Sequence, residues 1–167
     1  VNLSARQFRK PGLVDTVREA LRAAALHPQW LTLEITESLL MESPTAGGVL
    51  LAAVRDLGVH MALDDFGTGY SSLAYLKHLP LDVIKIDRSF VRDIPADADD
   101  AAIVKATIGL ASSLGMLTTA EGIETREQLA FLQENGCRYG QGFLFSAALE
   151  AEAFAAMLRE ERVLATA

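Results

Sequence analysis

Two adjacent carboxylates, Asp64 and Asp65, close an apolar run and lead straight into Phe66-Gly67-Thr68-Gly69-Tyr70-Ser71-Ser72. Neighbouring side chains at a strand end point to opposite faces, so each carboxylate can serve a different cation, or one can bridge two. Hard cations such as Mg²⁺ and Mn²⁺ take oxygen ligands of this kind. A plain surface Asp-Asp pair before a turn is the alternative. It loses ground because Glu34, Asp87 and Glu121 stand at the equivalent place on other strand-like runs. Lys85 and Asp87 lie two residues apart, on one face of residues 83–87, with Ile84 and Ile86 on the other. A lysine in a strand buried on both faces must be paired or neutralised. It is either half of a structural ion pair with Asp87 or a cation aimed at a phosphate or a nucleophilic water.

Other polar motifs are less pointed. Gly67-Thr68-Gly69 lacks the lysine of a P-loop and completes only G-x-G-x-x-S, a weak phosphate cradle. As a loop whose Thr68, Tyr70 and Ser71 fold over a metal site, it makes better sense. Glu121 ends a strand-like run and Glu124 follows three residues on, where a helix entry would also use a carboxylate. His27, His60 and His78 are scattered without metal-ligand spacing, which disfavours a histidine-built phosphohydrolase centre. Cys137 has no histidine partner and follows a helix-stop glycine, as a buried inert thiol would.

The elements that must position these groups alternate along the chain. Residues 31–37 alternate strictly, with Leu31, Leu33 and Ile35 on one face. Ser43-Pro44 opens a helix to Leu57, with Gly58 as its stop. Strands are expected at 61–65, 83–87, 117–121 and 141–145, and residues 1–3 read as the tail of another. Helices are expected at 11–26, 73–77, 101–114, from the Thr125–Gln128 capping box to Asn135, and at 149–163. The acidic Asp97, Asp99 and Asp100 suit the start of the third of these. This βα alternation predicts an α/β fold with a parallel sheet. The polar residues Asn2, Glu34, Asp64, Asp87, Glu121 and Gln141 recur roughly 20–34 residues apart, about one βα unit each. Chemistry at nearly every strand end favours a (β/α)₈ barrel over a doubly wound sheet, which gathers its site at one switch point. Only about six of eight βα units are present, so the expectation is an incomplete TIM-like barrel. Residues 1–167 then form one domain lacking its N-terminal strands.

The chain has 167 residues, half of them hydrophobic, with 15 basic against 22 acidic side chains and a net charge of −7. That composition excludes disorder and argues against a polymeric nucleic-acid partner. One cysteine excludes an intrachain disulfide and suits a cytoplasmic setting. No apolar run reaches the roughly 18 residues of a membrane span, so no membrane contact is expected from this segment.

The motifs Leu33-Glu34-Ile35-Thr36-Glu37-Ser38, Ala62-Leu63-Asp64-Asp65-Phe66-Gly67-Thr68-Gly69-Tyr70-Ser71-Ser72, Ile84-Lys85-Ile86-Asp87, Ala120-Glu121-Gly122-Ile123-Glu124 and Tyr139-Gly140-Gln141-Gly142-Phe143, after Val1-Asn2-Leu3-Ser4, resemble the successive signatures of the EAL domain. The resemblance covers essentially the whole chain. It implies a bacterial phosphodiesterase that opens cyclic di-GMP to linear pGpG on two divalent cations, Mg²⁺ or Mn²⁺. It implies Asn2, Glu34, Asp64, Asp65, Asp87 and Glu121 as metal ligands and Lys85, Glu121 and Gln141 as catalytic. Phe66, Gly67, Thr68 and Gln141 are expected to meet substrate, and Glu124 to brace the loop through Ser71. Fusion to sensory or GGDEF-type domains is expected as well.

The Glu-Ala-Leu motif that names the family, and the arginine after it, are absent from this sequence and would lie upstream. Ser146-Ala147-Ala148-Leu149 replaces the usual Ser-x-Pro-Leu. On this reading the 167 residues alone are inactive, and their sheet is either open or paired with a second copy at its bare edges. A degenerate cyclic di-GMP sensor is the competing reading. A dehydrogenase, lacking the third glycine and the opening strand–glycine–helix unit, is a distant one.

Overall fold

The computed structural model describes residues 1–42, 44–67 and 76–159. Ser43, Thr68, Tyr70, Ser71 and most of the expected 73–77 helix lie outside these residues. Among the described residues five strands form one parallel sheet: β1 (Thr32–Thr36), β2 (His60–Phe66), β3 (Val83–Ile86), β4 (Leu117–Glu121) and β5 (Tyr139–Gln141), in that order. Sequential order without a reversal is the winding of a barrel wall and not of a doubly wound sheet. Among the described residues the outer strands β1 and β5 do not pair, so the sheet is open. Residues 1–3 contribute a single parallel bridge, Asn2 to Glu34, held by Leu3 N–H to Glu34 O at 2.8 Å and Glu34 N–H to Val1 O at 2.9 Å.

Alternation decides the two faces. Leu33, Ile35, Met61, Leu63, Ile84, Ile86 and Ala120 point one way and are buried under helices. Packed there are Leu13–Ala23, through Leu13, Val17 and Leu21, and Ala98–Ser113, through Val104, Ile108 and Ala111. The other face carries Glu34, Ala62, Lys85, Thr119 and Gln141 along a cavity of about 550 Å³.

Local signals explain the helix ends. Asp97 accepts from the backbone of Asp99 and Asp100 at 2.9 and 3.0 Å. Thr125 and Gln128 complete the expected capping box on Arg126–Glu134. At the opposite end of the sheet from the polar ladder, Asp82 ties three strands. Its carboxylate accepts from Met61 N–H at 2.9 Å and faces Arg55 and His60, each at 3.3 Å, while its carbonyl accepts from Leu117 N–H at 2.9 Å. No described helix is long and apolar enough to cross a membrane.

Three details differ from the sequence reading. The last strand ends at Gln141, where the pattern predicted its start. Gly142 is pressed so closely against Ile123 that a Cβ there would fall 2.2 Å from its carbonyl oxygen, and the chain turns away. Short helices at Ala5–Phe8, Glu37–Glu42 and Arg88–Val91 were not foreseen, being too brief to show a helical period. The helices expected at 11–26 and 149–163 run over Leu13–Ala23 and Ala151–Arg159, with residues 160–167 outside the description.

Candidate active site

The polar ladder converges because parallel strands end at one rim. Lys85, only 7% exposed, rises from β3 into the middle of three carboxylates from three other strands. Its Nζ donates to Glu34 Oε2 at 2.9 Å and lies 2.8 Å from Asp64 Oδ1 and 2.6 Å from Glu121 Oε1. Burial pulls the lysine pKa down, but Asp64, Glu121 and Glu34 more than restore it, and the net shift is upward. Burial raises the Glu121 carboxyl despite the ammonium beside it, with Asp64 and Glu34 adding repulsion. Gln141 Nε2 donates to Glu121 Oε1 at 2.9 Å. The Lys85–Asp87 pair open at the sequence level is not formed. Asp87 turns instead to cap Arg88–Val91, accepting from Ser89 N–H at 2.8 Å.

The regular alternation expected to send Asp64 and Asp65 to opposite faces is interrupted here by a bulge. The β2–β3 register slips between Leu63 and Phe66, so Asp65 is an extra residue with a left-handed φ of 54°. Asp64 keeps the inner face with Lys85, and Asp65 meets Asp87. Burial and repulsion from Asp64 and Asp87 raise the Asp65 carboxyl. Asp87 is itself held low, burial being outweighed by its bonds to Ser89 and the charge of Arg88.

The sequence reading missed Glu37. It is 2% exposed, and its Oε2 accepts from Gly67 N–H at 3.2 Å, gripping the first residue after β2. A signal existed: Glu37 continues the buried register of Leu33 and Ile35, where a carboxylate needs a reason. On the other side of Gly67 sits the Phe90 ring, which a Cβ there would meet at 3.1 Å. Glu124 is exposed, and its backbone N–H is bound by Gln128 Oε1 at 2.7 Å. Its expected partner Ser71, and Thr68, lie outside the described residues. Phe66 packs outward, 7% exposed, in the core cluster. Asn2 is exposed beside Glu34.

The donor set is entirely oxygen and strongly anionic, and Asp64 Oδ1 is buried with the Lys85 ammonium as its counter-charge at 2.8 Å. That chemistry fits a divalent ion. Among the described residues, however, no three carboxylates stand ready around one ion, because the Lys85 ammonium holds that centre.

The family model for the EAL domain matches residues 1–148. The chain belongs to the EAL domain family. Among curated EAL relatives, the cyclic di-GMP phosphodiesterase NbdA of Pseudomonas aeruginosa is 49% identical over 162 residues, covering 97% of this chain and 21% of that protein. The structure of the P. aeruginosa MucR phosphodiesterase in complex with cyclic di-GMP superimposes with a TM-score of 0.89 at 49% identity, over 92% of this chain and 62% of that one. Klebsiella pneumoniae BlrP1, solved with cyclic di-GMP and manganese, gives a TM-score of 0.81 at 37% identity, over 88% of this chain and 38% of that one. A calcium complex of BlrP1 matches equally well. EAL domains are TIM-like barrels, and the sequential parallel sheet is part of that α/β wall. The chain spans about a fifth of the length of the curated relatives it matches.

Proposed function

We propose that this EAL domain hydrolyses cyclic di-GMP to linear pGpG. The observation that carries the reading is the convergence of Glu34, Asp64 and Glu121 from three strands on Lys85. In this reading Asn2, Glu34, Asp64, Asp65, Asp87 and Glu121 hold two divalent cations, Mg²⁺ or Mn²⁺. Such ions activate water and stabilise the entering and leaving oxygens of a phosphodiester displacement. They would also make a carboxylate-lined rim acceptable to an anionic substrate.

This chain's own residues do the rest. Lys85 supplies a buried cation that is no longer needed to neutralise three carboxylates and can hold the attacking water or the phosphate. Gln141 fixes the orientation of Glu121, the candidate metal ligand or general base. Glu37 and Phe90 fix the base of the loop that follows Asp64 and Asp65; Gly67 and Thr68 would meet substrate, with Ser71 and Glu124 bracing the loop, whereas Phe66, expected to meet substrate, instead anchors the loop in the core. Residues 1–167 count as part of one EAL domain, in a cytoplasmic protein that also carries sensory or GGDEF-type domains. A second copy pairing at the open sheet edges is part of the same proposal.

The test is direct. The full-length protein, given Mn²⁺ and cyclic di-GMP, should release pGpG on a chromatogram. A correctly folded protein that binds the nucleotide and releases no product would establish the sensor reading instead.

A further inference from the structure

A second cavity adjoins the carboxylate rim. It encloses about 730 Å³ and is bounded by Glu121 and Gln141 on the site side and by Phe143 and Phe145 beyond. Arg88 is the one cationic side chain lining it among the described residues. Its backbone is placed by Asp87, which caps the helix that Arg88 begins. Its stem is placed by Gly122, where a Cβ would fall 2.7 Å from Arg88 Cβ. Arg88 is exposed, and no described carboxylate lies within ion-pair distance of its guanidinium, though Asp87 feels its charge.

We infer that Arg88 is a specificity-determining residue that reads a guanine base of the dinucleotide in this cavity. The inference rests on the function proposed above and adds the residue that selects the base. Two observations favour a base over a phosphate. Outside the proposed cation ligands, the other charged group lining the cavity is the carboxylate Glu124, which repels a phosphate but suits the N1–H and amino donors of guanine. Phe143 is 73% exposed and offers a ring face of the kind on which bases stack. A guanidinium fork matches the O6 and N7 acceptors of guanine, whereas adenine turns an amino donor toward it.

Calorimetry on the full-length protein in calcium, with cyclic di-GMP and cyclic di-AMP as probes, tests this. Arg88→Ala should weaken cyclic di-GMP by about ten- to a hundredfold and leave cyclic di-AMP unchanged, so that selectivity shrinks by the same factor. Arg88→Lys, which keeps the stem and charge but not the fork, should also lose selectivity, and it serves if the alanine variant does not fold. Selectivity equal to wild type, or equal weakening of both nucleotides, overturns the role of Arg88 alone. A wild-type protein that binds neither nucleotide overturns the proposed function with it.

Discussion

Lys85 and Gln141 meet at one atom: Lys85 Nζ and Gln141 Nε2 approach Glu121 Oε1 at 2.6 and 2.9 Å. A carboxylate oxygen gripped from two sides has little rotational freedom. β3, β4 and β5 therefore present a single oriented Glu121 to the rim.

The Glu37 clamp should matter more to the reaction than to the fold. Glu37→Ala removes a charge-assisted bond to Gly67 worth about 1.5–3 kcal/mol and frees the chain after Asp65. Turnover of cyclic di-GMP by the full-length protein should fall by roughly ten- to a hundredfold. Glu37→Gln keeps an acceptor and should lose much less. Equal losses in the two variants would contradict the clamp.

Thr125 offers a stability prediction free of the site. Thr125→Ala removes the capping-box bond to Gln128 N–H and should destabilise the protein by about 1 kcal/mol. Urea titration should show a lower midpoint with an unchanged slope.

Gly142→Ala should be far more damaging than its size suggests. The added methyl would collide with the backbone of Ile123, which also accepts from Leu144 N–H at 3.0 Å. Gln141 would be displaced with it, so both thermal stability and turnover should drop. A variant as stable as wild type would mean that this approach of backbones is not needed.

Cys137 should behave as an inert thiol. Burial, the largest effect, raises its pKa. Because the folded pKa lies above the unfolded one, the neutral thiol's contribution is fully present below the unfolded pKa. It is lost as pH rises through the folded value. Alkylation by iodoacetamide at pH 8 should therefore be slower in the native protein than after urea unfolding. Equal rates would show an open, unshifted thiol.

Where residues act locally, the sequence was readable. The alternation of 31–37 and the Thr125–Gln128 box each depend on neighbours a few positions apart, and each stands in the structure. The features that escaped are long-range. Glu37 reaches Gly67 across 30 residues, and no periodicity encodes that contact. The bulge at Asp65 is a register slip against β3, invisible in β2 alone. Asp87 was read with Lys85 on spacing, yet helix capping won because the next turn begins at Arg88. Gln141 was recognised as a site residue but put at the wrong end of its strand, because the approach of Gly142 to Ile123 is tertiary.

The most direct measurement compares wild-type and Lys85→Ala full-length protein in Mn²⁺, recording cyclic di-GMP affinity by calorimetry and pGpG release by chromatography. The account predicts that the variant binds within a few-fold of wild type while turnover falls by at least about a hundredfold, since a cation at the reacting centre is lost. A Lys85→Ala protein that releases pGpG at the wild-type rate would contradict it.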